Sequence, residues 1–420
     1  MLALSALVLA SSCLASAPQE PPVPQDVPWP DYRGPGKDGQ VAGVELALTW
    51  NEEHNVAWKV PVQGRGWSSP VVAEGRVWLT SADADGTRLS VLAYDLASGE
   101  PLVERVLFEV AAPEPVNKLN SYASPSPVVG PGRVYVHFGT YGTACLEAAT
   151  GKTLWKREDL HCDHMEGPGS SPFLMEERLI LTMDGGDTQS LLALDLVSGK
   201  TLWSTTRSAA LADLTPDFRK AYHTPIVIEV EGEQQLLSSG AQATYGYDPA
   251  DGKELWRVRF AGFSMASRTS VYKDRIIVNT GFMRPELWCV RLGGTGDVSA
   301  SHVLWRNTRG APTMASNVIV EGRLFQVSDR GMASCIDLET GKTLWQERLG
   351  ADHCASPIHC EGRIYFFDRD GGTTVIKAGA EFEVLAESRL DAGFMASPAV
   401  AGNALILRTE THLYRIEESD

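Results

Sequence analysis

The sequence has no run of Lys or Arg, and its 37 basic residues are outnumbered by 53 acidic ones, leaving a net charge of −16. A protein that grips phosphate backbones needs a basic face, so nucleic acid is excluded as a partner. The acidity is read as solubility. After residue 17 no apolar run approaches the ~18 residues of a membrane helix, so no transmembrane span is expected. Cysteine is scarce, at seven in 420 residues. Cys145, Cys289 and Cys335 stand at one position of an internal repeat, where other copies carry Ala93, Ala193 and Gly246. They replace small buried residues and read as inert core thiols. Cys354 and Cys360 lie along one strand and its turn, beyond the ~7 Å Cα separation that a bridge tolerates. No disulfide framework is expected.

The repetition itself is plain. "LDLVSGKTLW" at 194–203 returns as "IDLETGKTLW" at 336–345, with related copies ending at Trp155, Trp256 and Trp305 and a first tryptophan at Trp58. A degenerate copy, "LAYDLASGEPLVERV", places Leu102 at the tryptophan position, and "FEVLAESRL" is the last. A second mark keeps the same beat: "SSPVVAEGRVW" from Ser68 recurs at Ser126, Ser171, Thr224, Thr269, Ser316, Ser356 and Ser397. Each unit reads as four short β-branched strands joined by tight Asp/Gly turns, the unit of a propeller blade. An isolated four-stranded sheet buries too little to hold together, and stacking blades radially cures that. The expectation is an all-β, eight-bladed propeller of four-stranded antiparallel blades. Its tryptophans pack between blades, and the strand around Trp58 completes the last blade, removing free edges.

The repeat, S-P-V-V-x-x-G-R-V-Y followed by A-x-D-x-x-T-G-K-x-L-W, resembles the pyrroloquinoline quinone (PQQ) type propeller repeat over about Trp29 to Asp420. Quinoprotein alcohol dehydrogenases share it with the propeller lipoprotein of the outer-membrane β-barrel assembly machine. "WPDYRGPGKDG", "KAYHTP" and "YDPADGKELWRVRF" are similar to uncharacterised PQQ-like propellers of planctomycete-type bacteria. The resemblance implies two functional classes, because one fold hosts many activities. One is a non-catalytic scaffold that binds a protein partner or small ligand in the cell envelope, with no cofactor. The other is an enzyme, either a PQQ- and calcium-dependent dehydrogenase or a carboxylate-dependent lyase or hydrolase. The dehydrogenases carry an adjacent Cys-Cys pair that this sequence lacks.

Domain organisation follows. Residues 1–17 read as a signal peptide, with "LALSALVLAS" as its apolar core and small residues at 15–17. "LASSC" offers a rival lipobox that would anchor the protein through Cys13. Residues 18–30 form a Pro-rich linker, and 31–420 form the propeller. An exported, periplasmic or outer-membrane-associated monomer is expected.

The turns after the first and third strands of each unit, such as "AEGR" and "SGK", are short and uniform, so they share one face. The other face collects long, irregular loops, where function concentrates. Candidate binding residues there are Trp67, His161, His164, Asp184, Asp187, Tyr222, His223, Arg268, Met314, His353 and Met395. His161, Cys162, Asp163 and His164 are chemically competent metal ligands in a spacing that matches no established pattern, so no metal is assigned. Asp184 and Asp187 suit either calcium or an ordinary hairpin turn. A ring immediately before the innermost strands, Trp67, Ser124, Gly169, Tyr222, Met265, Met314, Cys354 and Met395, forms either a channel plug or an apolar pocket.

Overall fold

A computed structural model describes residues 28–419. The proposed signal segment, the Cys13 lipobox and most of the Pro-rich linker lie outside these described residues. Eight antiparallel blades of four strands follow one another around a ring, at 71–109, 128–157, 173–206, 226–259, 270–307, 318–348, 358–389 and 399–416. The eighth blade supplies only three strands from its own stretch of chain. Its fourth is Val56–Pro61, which pairs antiparallel with His412–Ile416 and closes the ring as expected.

Strand composition follows from position. Second strands such as Arg178–Asp184 are covered on both faces by neighbouring blades and are buried almost throughout, which explains why apolar residues there do not simply alternate with polar ones. Outer strands such as Thr201–Thr206 alternate exposed and half-buried residues, because only one face meets a blade. Two blades gain a fifth strand in parallel: Gly296–Asp297 runs beside Glu254–Arg259, and Gln40–Val41 beside Ile358–Cys360.

The recurring Gly-Lys-x-Leu-Trp block is an interblade lock. The Trp155 ring lies on Gly199 of the next blade, where φ is +69° and an added Cβ would come within 2.8 Å of the ring. Trp155 Nε1 also donates to the Leu196 carbonyl at 3.0 Å. Trp58, Trp203 and Trp305 repeat the contact on Gly99, Gly252 and Gly341. In the first blade the residue at this position is Val103, which pairs with Ala93 as Trp203 pairs with Ala193, and it covers Gly151. Leu102, the residue expected there, is instead 45% exposed; a one-residue slip sends a strand side chain to the opposite face.

The cysteine reading holds in register. Cys145, Cys289 and Cys335 each pair with a tryptophan of the outer strand, and all six described cysteines are buried and free.

The chain enters the fold earlier than the linker reading placed it. Trp29 is fully buried and exchanges two backbone hydrogen bonds with Val72. From there residues 29–41 cross the uniform face of the ring. Pro30 accepts from the Val129 amide, Gly39 accepts from the His359 amide, and the Arg33 guanidinium donates to the carbonyls of Pro357, Asn317 and Asp38. This segment closes one end of the central channel.

Candidate functional site

The other end stays open, giving a cavity of about 700 Å³ whose floor is Tyr32. Its lower wall is built by the second mark of the repeat. The residue two places before each innermost strand carries a hydroxyl in every blade except the fifth, and in six of the eight blades its amide donates to the hydroxyl of the next blade. Ser69 donates to Ser126, Ser126 to Ser171 and Ser171 to Thr224, at 2.9–3.0 Å. Arg268 to Ser316, Ser316 to Ser356 and Ser356 to Ser397 continue it at 2.9 Å. The repeated serine is thus a clasp between neighbouring innermost strands. Tyr32 rises from the plug to place its hydroxyl 3.1 Å from Ser316 Oγ and 3.0 Å from Ser356 Oγ.

In the fifth blade this position belongs to Arg268, because the innermost strand starts at Ser270; the expected marker, Thr269, is one residue late. The same slip moves the ring residue above it. Ala266 lines the cavity, whereas Met265 is fully buried in the blade core.

Of the candidate residues, Trp67, Tyr222, Met314, His353 and Met395 do line the cavity, as do Ser124, Gly169 and Cys354 of the ring. Arg65 lies over the Trp67 ring at 4.8 Å. Tyr222 donates its hydroxyl to the His164 carbonyl at 3.0 Å, and burial pushes its phenol far above the usual value, so it stays neutral. Burial likewise pushes the Cys354 thiol up to about 12, which disfavours its thiolate form.

The remaining candidates stand elsewhere. His161 is exposed on its loop, outside the cavity lining. His164 is buried against Gly139 and Pro168, with Nδ1 3.8 Å from Cys162 Sγ. Asp187 caps its own turn and ties it to the neighbouring loop, accepting from the Thr188 and Asp163 amides. Asp184 is fully buried and bonded by Arg207 through Nε at 2.8 Å to both oxygens, so it is a structural ion pair. His223 is fully buried between the fourth and fifth blades, with Nδ1 3.3 Å from the Ser239 amide and Nε2 3.2 Å from the Thr269 hydroxyl. Arg268 points away from the cavity into the plug, bonding Asp31, the Tyr32 carbonyl and the Pro225 carbonyl.

Sequence reasoning passed over part of the mouth. Asp329, Arg330 and Arg369 come from hairpins read as mere turn formers, yet with Asp352 they build one charged arc. Arg330 and Arg369 reach Asp352 at 3.2 and 3.7 Å, and Asp329 accepts from the Thr313 amide and hydroxyl. Across the mouth Lys220 bridges Glu166 at 3.2 Å and Asp217. Beside that bridge an apolar shelf rises, with Phe263 in contact with Phe218 and with the half-exposed Phe282.

A family model described as outer membrane protein assembly factor BamB matches residues 41–158, 90–274 and 245–381. The chain belongs to this family. Among solved structures of BamB-like shape, BamB from Moraxella catarrhalis aligns at a TM-score of 0.60 with 12% identity, covering 86% of this chain and 97% of that one. A europium-containing methanol dehydrogenase aligns at 0.53 with 11% identity, over 93% and 89%. These likenesses show the fold alone. A curated relative, tetrathionate hydrolase of Acidithiobacillus ferrooxidans, is 23% identical over 330 residues, 73% of this chain. The chain spans only 59% of that relative's length.

The fold family raises a quinone held with calcium. The carboxylates at the mouth do not fit one. Glu166 and Asp217 are engaged by Lys220, Asp352 by two arginines and Asp329 by Thr313, and among the described residues no three metal-ligating side chains converge. No chemistry is derived through that group.

Proposed function

We propose that this protein is an exported propeller scaffold of the cell envelope, periplasmic or outer-membrane-associated, that binds a small ligand or a partner segment at its irregular face, without a resident cofactor. One observation carries the reading: the channel is closed at the uniform face by residues 29–41 and open at the irregular face, which makes a blind cavity of about 700 Å³, the size of a ligand site. The apolar shelf of Phe263 and Phe282 across from the charged arc gives the mouth two chemically distinct sides, as binding surfaces have. A hydrolase reading draws on the tetrathionate hydrolase match. The burial of Cys354 and the engagement of the mouth carboxylates by Lys220, Thr313 and two arginines give it less support than the binding reading.

The test is site-specific photocrosslinking in living cells. A crosslinking residue in place of Phe282, at the mouth, is expected to trap a defined partner or ligand. One in place of Val197, an exposed residue on a uniform turn, is expected to trap none. Products at 197 and none at 282 would show that the wrong face has been assigned.

A further inference from the structure

Beneath and beside the cavity floor the charge balance runs against that of the whole molecule. Three guanidiniums, Arg33, Arg268 and Arg408, are each 2% exposed, and the buried carboxylate among them is Asp31. Asp31 bonds Arg268 at 3.0 Å. Arg33 donates only to backbone carbonyls, and Arg408 donates to the Ser68 carbonyl and hydroxyl and to the Thr80 carbonyl. The nearby Asp38 turns its two oxygens to Gln40. Two buried cations therefore lack a carboxylate partner, in a chain of net charge −16. Both lie next to the hydroxyl clasp, since Pro357, Asn317 and Ser68 each adjoin a residue of that ring. Burial pulls Arg33 and Arg408 down to about 10, the direction expected of a charge that lacks a counter-ion.

Above these cations stands an array of donors. The hydroxyls of Ser126, Ser171, Thr224 and Ser397 each accept from a backbone amide, and among the described residues none donates to a protein acceptor, so their hydrogens are free for the cavity they line. Tyr32, Ser316 and Ser356 bring three hydroxyl hydrogens to two contacts, which leaves at least one more. No carboxylate is placed at this level; those of the lining stand in the loops of the mouth. Convergent O–H donors over uncompensated positive charge make a complement for negatively charged oxygen.

We propose that the floor of the channel binds an oxyanion, the carboxylate, sulfonate or phosphate group of a small acid, between Tyr32 and the hydroxyl clasp. This deepens the binding reading and rests on it. The rest of the ligand would extend toward Trp67 and Tyr222, whose rings line the wall above.

The experiment is thermal unfolding of the full chain with sulfate or phosphate against chloride at matched ionic strength, followed by calorimetric titration. Sulfate and benzenesulfonate are the two calorimetric probes. The expected result is saturable stabilisation by sulfate and phosphate. Binding should weaken at least about tenfold in Tyr32→Phe and in the double variant Ser126→Ala, Ser171→Ala, since each loses donors to a charged group. Arg408→Met tests the field, and the hydroxyl variants, which leave the buried charges in place, keep the test decisive if it fails to fold. Tighter binding of benzenesulfonate than of sulfate identifies an organic acid; equal binding identifies a free inorganic ion. A selenate-soaked crystal should show an anomalous peak within hydrogen-bonding distance of the Ser126 and Ser171 hydroxyls. Stabilisation that does not saturate, or that is equal in all variants, or a selenate peak only beside Lys118 or Lys220, would overturn the proposal. Crosslinking at position 282 is independent of these outcomes, so the oxyanion site can fail while the binding face stands.

Discussion

At the scale of single residues, one histidine that sequence reading offered as a ligand, His164, acts in the fold as a neutral buried group. His164 is 7% exposed, and burial holds its imidazole down at about 4, well below the ordinary 6.5. His137, beside it, is held near 3 by burial first and by His164 second. Unfolding releases both to ordinary values, so the unfolded chain binds protons that the folded one refuses. Their contribution to stability is therefore complete above about pH 6.5 and drains away as pH falls through the interval toward 4. Urea unfolding near pH 7 and again near pH 4.5 should show the wild type losing more stability than His164→Gln, by about 1–3 kcal/mol. Equal losses would mean that His164 titrates normally in the folded state.

At the scale of the element, the interblade lock explains why ten residues are written nearly twice. A turn glycine with positive φ, a carbonyl three residues before it and a tryptophan from the preceding blade are needed together, and at Trp155 they meet Gly199 and Leu196. Gly199→Ala should cost about 1–3 kcal/mol, from backbone strain and from a methyl driven into the indole. Trp155→Ala, at a half-buried site, should cost about 2–4 kcal/mol. Because the same contact is lost in both, the double variant should fall short of the sum, and chemical denaturation of all three variants measures that coupling directly. Full additivity would mean that the two residues stabilise the ring separately.

The same element shows what was legible. The repeat carried the blade count, the ring closure and the cysteine register, because interblade packing demands the same few residue types in every copy. Where a copy lost its landmark, the reading slipped by one residue. Val103 was mistaken for Leu102, and Arg268 and Ala266 for Thr269 and Met265, since a strand of period two leaves no other clue to its face. Five of the candidate residues line the cavity, Trp67, Tyr222, Met314 and Met395 because they sit two places before the hydroxyl of the repeated mark, and His353 one place earlier in its blade. Tyr32 was not legible at all: nothing local marks a residue that becomes functional only when residues 29–41 cross the ring.

At the scale of the whole molecule, the ring is one closed circuit of sheet edges, and its joint is the pairing of Val56–Pro61 with His412–Ile416. Every other neighbouring pair of blades is joined by continuous chain, whereas this blade is joined by five registered residue pairs and the Trp58 lock on Gly99. Ending the chain at Thr411 would leave Val56–Pro61 without its partner and bare the edge of Ala404–Arg408. Exposed edges recruit other edges, so this truncation should show concentration-dependent association or aggregation that the full chain does not. Ending the chain after Ile416 removes the bonds that Glu417, Glu418 and Ser419 make to Leu48, Asn55 and Arg415 and leaves the strand pairing intact. That protein should remain monomeric and lose no more than about 1–2 kcal/mol. Light scattering across a concentration series, run beside unfolding curves for both truncations, separates the cases. If the Thr411 truncation stays monomeric and unfolds in one cooperative step, the ring is held by its interblade faces, and the closing strand is dispensable.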